Sequence, residues 1–150
     1  MIIELQDITA SMNSNGDSYE SIFGTNAWQN LLLDEVKFPA VCFDMPKVEY
    51  SLPKSGFIGE KYPITIYVCY KSELDWDGLQ HEIVIEKANT ATRELISRLQ
   101  NYKDADGNRL IDNIEFIGAD RVKNVFNVNT SGIMLQLKIQ PTINKPVCIS

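Results

Sequence analysis

The feature that most constrains the fold is an apolar stripe in the second half of the chain. Its members are separated by four, three, four, four and three positions, and they are Val84, Ala88, Ala91, Leu95, Leu99 and Tyr102. This spacing places side chains on one face of an α-helix. Asp77 can cap the helix, with Gln80 three residues later in a capping-box arrangement. We therefore predict a helix at about 78–102, roughly 37 Å long, which is enough to cross a whole sheet.

Runs that are typical of strands flank this stripe on both sides. Three precede it, at 38–43, 48–52 and 64–71, and two follow it, at 114–117 and 133–140. The first is a compact apolar run, and most of the others alternate apolar and polar residues, as strands with one buried face do. The 114–117 run can extend through Val125. The order of elements predicts an α+β domain whose mostly antiparallel sheet has about five strands.

The N-terminal quarter of the sequence predicts helix that is interrupted by a turn. Ile2, Leu5, Ile8 and Met12 recur at near-helical spacing, and a turn-forming segment follows at 13–18. A second apolar cluster predicts another short helix, and its residues are Tyr19, Ile22, Phe23, Trp28, Leu31 and Leu32. We expect these N-terminal helices to pack on the sheet. The predicted organisation is a single domain with an acidic helical region at 1–37, an α+β core at 38–141 and a C-terminal arm at 142–150.

The charge is unevenly distributed. Residues 1–36 contain six acidic residues and no lysine or arginine, which accounts for the whole net charge of -6. Proteins that bind nucleic acids concentrate basic residues on one face, and this chain does not. An acidic surface can line a conduit through which DNA slides, although a solvated acidic face that aids solubility explains the charge equally well. No apolar run approaches the ~18 residues of a membrane span, and no signal peptide is readable.

The residues suited to catalysis are few. Cys42, Cys69 and Cys148 have no paired spacing, and the first two fall in strand-like runs, so we expect buried thiols. His81 is the only histidine, and we interpret it as an ordinary polar residue of the helix. We therefore predict a protein without catalytic residues and without a cofactor.

One segment, 104–115, matches the spacing of an EF-hand calcium loop. The residues at ligand positions 1, 3, 5, 9 and 12 are Asp104, Asp106, Asn108, Asp112 and Glu115. Arg109 stands where the loop requires a glycine, and the segment that follows reads as a strand and not as an exiting helix. We therefore interpret 104–115 as a polar turn without a metal, and a calcium loop is the alternative.

Trp76 lies in a polar, acidic segment immediately before the long helix. A large aromatic residue in such a segment can anchor a contact with another protein, or it can fold back over the start of the helix. We take Trp76, its neighbours Asp75 and Asp77, and Trp28 as candidates for an interface.

The order of these motifs resembles a known family. The motifs are Phe-Pro-Ala-Val at 38–41, Val-Glu-Tyr at 48–50, the alternating run at 62–68, the acidic loop with tryptophan at 73–77, the long helix, and the closing strand at 132–137 after an asparagine-rich turn. Over about 38–141 this pattern is similar to the tail-terminator, or tail-completion, proteins of long-tailed bacteriophages. The N-terminal region is longer than in that family and can supply an extra interface.

The resemblance implies a non-enzymatic α+β subunit of the virion, assembled in the cytoplasm of the host bacterium. Such subunits form a homo-oligomeric ring, usually a hexamer, on the last ring of the tail tube. The implied partners are other copies of the chain, the tail tube protein and the head–tail connector protein, with DNA passing through the ring without specific binding and no membrane involved. Other neck or connector proteins share this size and class and are an alternative.

Overall fold

The computed structural model describes residues 2–24, 38–51, 57–73, 75–103, 105–125, 129–141 and 145–146. Its helices are α1 (Ile2–Ser11), a short 3-10 turn (Ser14–Gly16) and α2 (Gly78–Gln100). Its strands are β1 (Glu20–Phe23), β2 (Ala40–Phe43), β3 (Glu49–Ser51), β4 (Phe57–Lys71), β5 (Ile111–Val125), β6 (Thr130–Pro141) and β7 (Lys145–Pro146). The predicted α+β class is confirmed.

The main sheet contains five strands in the order β1-β2-β4-β6-β5. All of its pairings are antiparallel except that between β1 and β2, which is parallel, so the sheet is mixed. The short strands β3 and β7 pair with the first part of β4, which begins well before the predicted position 64. Lys145 and Pro146, which belong to the predicted C-terminal arm, pair with Ile58 and Phe57 of β4.

The long helix forms where its apolar period and its cap predict it. The side chain of Asp77 accepts a hydrogen bond from the Gln80 amide at 2.9 Å, and Gln80 Oε1 accepts one from the Asp77 amide at 3.0 Å. The predicted stripe faces the sheet: its first five residues are buried, and Tyr102 is half-buried just beyond the end of the helix. The helix ends at Gln100, two residues before the predicted end.

The predicted second N-terminal helix is wrong for the residues that the structure describes. Glu20–Phe23 is β1, which pairs in parallel with β2 in the register Glu20↔Ala40 to Phe23↔Phe43. The rings of Phe23 and Phe43 stack with centroids 4.9 Å apart. Aromatic and β-branched residues suit a pleated surface, and a partner strand decides their conformation. The first predicted helix is confirmed as α1, whereas Trp28, Leu31 and Leu32 lie outside the described residues.

Buried residues cover both faces of the sheet. On one face, α1 and α2 pack on alternate residues of β4 and β6 to form the larger core. On the other face, Ala40, Cys42, Tyr67 and Cys69 form a smaller cluster. The predicted burial of Cys42 and Cys69 is confirmed, and neither forms a disulfide. Burial raises the pKa of the Cys69 thiol. Cys148 lies outside the described residues.

Candidate functional site

Exposed large apolar side chains mark the surfaces that can bind another molecule. In the described part of the chain they occur in three places: around β3, at the start of α2 and in the middle of β5. The residues are Met45, Val48, Tyr50, Leu79, Ile83, Phe116 and Ile117. Single exposed apolar residues are ordinary on a folded protein, whereas a contiguous exposed apolar patch can mark an interaction site.

The first surface is the helix ridge, which we define as Leu79 and Ile83. These side chains are 69% and 53% exposed and lie one helical turn apart on the outward side of α2. Asp75 and Asp77 precede the ridge and are exposed to solvent. The helix ridge is therefore an apolar strip next to negative charge.

The second surface is the edge groove, which lies between α2 and β5. It is a cavity of about 310 Å³, and its apolar lining includes Ile96, Phe116, Ala119 and Ile133. Among the described strands, β5 pairs with β6 alone, so its outer side is the edge of the sheet. The ring of Phe116 is 54% exposed in this groove. The edge groove is therefore accessible and largely apolar.

Charged side chains connect the two walls of the edge groove. Arg121 of β5 forms ion pairs with Glu82 and with Glu86 of α2, the latter at 3.6 Å. These groups are about half exposed, so the pairs contribute little to stability. Hydrogen bonding to Glu82 raises the pKa of Arg121, which keeps its charge in any case. Arg93 lies on the same groove and is exposed.

A smaller cavity lies beside Ile117, the residue that follows Phe116. It measures about 200 Å³, and Met45, Lys47, Pro63 and Ile117 contribute to its lining. The register of β5 on β6 shifts between Phe116 and Gly118, which marks a bulge at this point. The middle of β5 therefore presents an apolar side chain to each of two cavities.

Trp76, the main predicted interface residue, folds back over the start of the helix. Its ring meets the ring of His81 edge-on, with centroids 5.7 Å apart, and it packs against the larger core. Asp77 is the helix cap, and Asp75 is exposed. Trp28 lies outside the described residues. None of these contacts involves the Asp75 side chain. Asp75 therefore remains a candidate for an interface.

His81 lies on α2, as its interpretation as a polar helix residue requires, but it is buried, with 4% of its surface exposed. His81 Nδ1 lies 3.3 Å from Ser131 Oγ, Ser131 Oγ donates to Ser72 Oγ at 3.0 Å, and Ser72 Oγ donates to the Asn129 carbonyl at 3.1 Å. Serine and histidine can act in nucleophilic catalysis, but all three side chains here are buried. Their arrangement fits a structural link between the loop before α2 and the start of β6.

The position of His81 could have been found from the sequence. It precedes Val84 by three residues and Ala88 by seven, so it continues the apolar stripe by one turn toward the start of the helix. A polar residue on such a stripe is buried when hydrogen-bond partners are available. Ser131, the partner, is fifty residues away and could not be inferred from spacing.

The candidate calcium segment is a tight turn followed by a strand. Lys103 and Arg109 form a β-bridge, Gly107 has a φ of 82°, and the Arg109 guanidinium donates to the Gln100 carbonyl at 2.7 Å. Asp112 and Glu115 lie on β5 and are exposed. Asp104 lies outside the described residues.

Calcium ligands must converge on one point. Within the described ranges, no group of three or more histidine, cysteine, aspartate or glutamate residues is placed to share a metal ion. Asp104 lies outside these ranges, so the absence of calcium binding by the whole 104–115 segment stays a prediction that a titration must test.

Some of the acidic residues in the N-terminal region accept hydrogen bonds from other parts of the protein. Asp17 Oδ2 accepts a hydrogen bond from the Tyr70 hydroxyl at 2.8 Å, and Asp7 accepts a longer one from Tyr102 at 3.4 Å. Among the acids that the structure describes, the half-buried Asp17 and the exposed Asp7 thus each link the N-terminal region to a tyrosine of the core domain. This arrangement favours a structural use of those two carboxylates over a role in lining a DNA conduit.

In comparisons with known proteins, no protein-family model and no curated protein matches this chain. Among the helices that the structure describes, none is long and apolar enough to span a membrane.

Proposed function

We propose that this chain is a structural virion protein without enzymatic activity, and that it forms a ring at the end of a bacteriophage tail tube. The ring is a hexamer, as is usual in the tail-terminator family that the chain resembles. It stops growth of the tube and presents a docking surface to the head–tail connector. DNA passes through the ring without specific binding.

The observation that carries this proposal is the presence of two separate accessible apolar surfaces on one small subunit. The helix ridge and the edge groove use different residues, and neither is covered by the described part of the chain. A contact between two different surfaces of identical subunits is head-to-tail, and it closes into a ring when its rotation divides the circle. The α+β architecture and the order of elements agree with the resemblance.

The test is to locate the chain in assembled particles and to count its copies. We expect cryo-electron microscopy to show a ring of this chain at the head–tail junction, in contact with the last ring of the tube. A single copy, or a position elsewhere in the particle, would contradict the proposal. Mass photometry of the purified protein complements this test, because ring-sized species are expected at high concentration or when tail tubes are added.

The alternative is another neck or connector protein, which would also form a ring. The two are separated by isolating tails that have not yet joined heads, together with heads that lack tails. A terminator is expected on the free tails, whereas a connector is expected on the heads. Immunoblotting of the two fractions for this chain decides between them.

A further inference from the structure

We infer that the helix ridge of one subunit docks into the edge groove of a second copy of this chain, and that this contact joins neighbouring subunits of the ring. The inference rests on the proposed function, since it assumes that copies of the chain assemble. It goes further by naming the two surfaces that meet.

The helix ridge places apolar residues on the side of α2 that faces solvent, where polar residues are expected. The outward side of α2 continues from Ile83 through Glu86, Thr90, Arg93 and Ser97, all of which are polar and exposed. Amphipathic helices keep polar residues on such a side. Leu79 and Ile83 interrupt this pattern together, one turn apart, and they form a compact strip that can insert into a groove.

The edge groove has the shape and lining to receive such a strip. Its volume of about 310 Å³ is bounded by α2 on one side and by β5 on the other. Ile96 and Phe116 supply apolar surface, and both remain accessible to solvent in the single subunit. Docking of the helix ridge would remove Leu79, Ile83 and Phe116 from water at once, and burial of apolar surface favours association.

Charge gives the contact its orientation. The groove lining carries two acids, Glu86 and Asp120, and two arginines, Arg93 and Arg121, of which Arg121 is paired with Glu86. Asp75 and Asp77 lie next to the helix ridge and are exposed. These acids fit a docking orientation that brings them to Arg93 of the neighbouring subunit. Opposite charges across an interface favour the correct partner and register, and arginine is enriched at such sites. A second copy of the chain therefore supplies the apolar complement, and Arg93 is the group in the groove lining that its acids would meet.

The first experiment is cysteine crosslinking between two variants in a Cys148→Ser background. Ile83→Cys and Phe116→Cys proteins are mixed under the conditions in which the wild-type protein forms rings, and they are then oxidised mildly. We expect a disulfide-linked dimer from the mixture and little dimer from either variant alone. The matched control pairs Phe116→Cys with Gln6→Cys, which is exposed on α1 and belongs to neither the helix ridge nor the edge groove.

The second experiment places a charge in the contact. We expect Ile83→Glu to lower the fraction of ring-sized species by about tenfold or more in mass photometry, as truncation of a central interface residue does. Gln6→Glu, an exposed position on α1 outside both surfaces, is the control and should leave that fraction unchanged. Both positions are exposed, so thermal melts followed by circular dichroism should show equal stability for the two variants.

The outcomes separate this inference from the proposed function. Wild-type rings combined with no crosslink between positions 83 and 116 and no effect of Ile83→Glu would overturn the inference and leave the function standing. If Ile83→Glu keeps the rings but abolishes binding to tail tubes, the helix ridge meets the tube protein and the inference is again wrong. If the wild-type protein forms no rings either in solution or on particles, both proposals fail.

Discussion

The hydroxyl oxygens of Tyr19 and Tyr70 lie 2.8 Å apart, and the two rings meet edge to face with centroids separated by 6.3 Å. Tyr70 belongs to β4, the central strand, and Tyr19 directly precedes β1. The Tyr70 hydroxyl also donates to Asp17, and the Tyr19 hydroxyl donates to the Ser14 carbonyl at 3.0 Å. This pair therefore ties the N-terminal segment to the middle of the sheet.

Glu94 makes a second link between the same segment and α2. Its carboxylate accepts hydrogen bonds from the amides of Asn13 and Ser14 at 3.0 and 2.9 Å, and it pairs with Arg98 at 2.9 Å. Burial alone would raise the pKa of Glu94, but the hydrogen bonds from Ser14 and Arg98 outweigh it and lower the pKa. The N-terminal segment is thus held by polar contacts as well as by the apolar residues of α1.

We predict that Tyr70→Phe lowers the free energy of unfolding by about 1–3 kcal/mol, because it removes the hydrogen bond to the half-buried Asp17 carboxylate and the polar contact with the buried Tyr19 hydroxyl. Urea denaturation followed by fluorescence measures this change. The matched control is Tyr50→Phe, whose side chain is 65% exposed, and it should change stability by less than about 0.5 kcal/mol. Equal effects of the two substitutions would show that the Tyr19–Tyr70 contact does not hold the N-terminal segment.

We predict that Leu99→Ala costs about 2–5 kcal/mol of stability, since Leu99 is fully buried between α2 and the sheet and its truncation leaves a cavity. Leu79→Ala removes the same atoms from an exposed position of the same helix and should cost less than about 0.5 kcal/mol. Denaturant melts of the two variants compare them directly. A loss below about 0.5 kcal/mol for Leu99→Ala would mean that the stripe does not pack on the sheet.

We predict that Gly132→Ala destabilises the protein by about 1–3 kcal/mol. A Cβ atom at Gly132 would clash with the backbone carbonyl oxygen of Val68, so β4 and β6 would have to move apart. Gly118→Ala is the control, because a Cβ there meets no atom within 4 Å. Thermal melts of both variants provide the measurement, and an unchanged melting temperature for Gly132→Ala would contradict the close pairing of these strands.

We predict that stability falls as the pH rises above about 10, the pKa of an unperturbed tyrosine. A hydrogen bond to Glu60 and burial raise the pKa of Tyr62 to about 12. Burial also raises the pKa of Tyr67 and that of Tyr70. When a group has a higher pKa in the folded state than in the unfolded state, it stabilises the fold fully at a pH below the unfolded-state pKa. This stabilisation is lost as the pH rises through the folded-state pKa.

Urea melts between pH 8 and 11 test this prediction, with free energies of unfolding expected to decline only in the upper part of that range. Tyr62→Phe should make the decline shallower, because it removes one of the tyrosines with a raised pKa. The exposed Tyr50 again provides the control substitution. A free energy of unfolding that does not change between pH 10 and 11 would show that these hydroxyls ionise as easily in the folded state as in the unfolded one.

We predict that the chain binds calcium no more tightly than the millimolar range. Arg109 occupies the position where a calcium loop needs a glycine, and its guanidinium is held by the Gln100 carbonyl. Isothermal titration calorimetry with calcium chloride checks this. Micromolar binding that disappears in the double variant Asp104→Ala with Glu115→Gln would establish the calcium loop instead.

The parts of the fold that were predicted from the sequence are those with local causes. The stripe from Val84 to Leu99 and the capping box at Asp77 and Gln80 depend on residues a few positions apart, because helical hydrogen bonds and contacts are local. The alternation around Ile66 and Leu135 likewise shows which side chains of β4 and β6 share a face. The α+β class follows from the order of these elements.

Other features depend on residues that are distant in the chain, so only the tertiary structure decided them. Glu20–Phe23 is a strand because β2 lies beside it, and His81 is buried because Ser131 reaches it across the core. Trp76 is partly buried on the core because the ring of His81 at the start of α2 lies beside it. The helix ridge could likewise not be predicted from the sequence. Leu79 and Ile83 form an exposed strip only because the opposite side of α2 packs on the sheet. Sequence periodicity determines which residues share a face, whereas the packing of remote segments determines which face is covered.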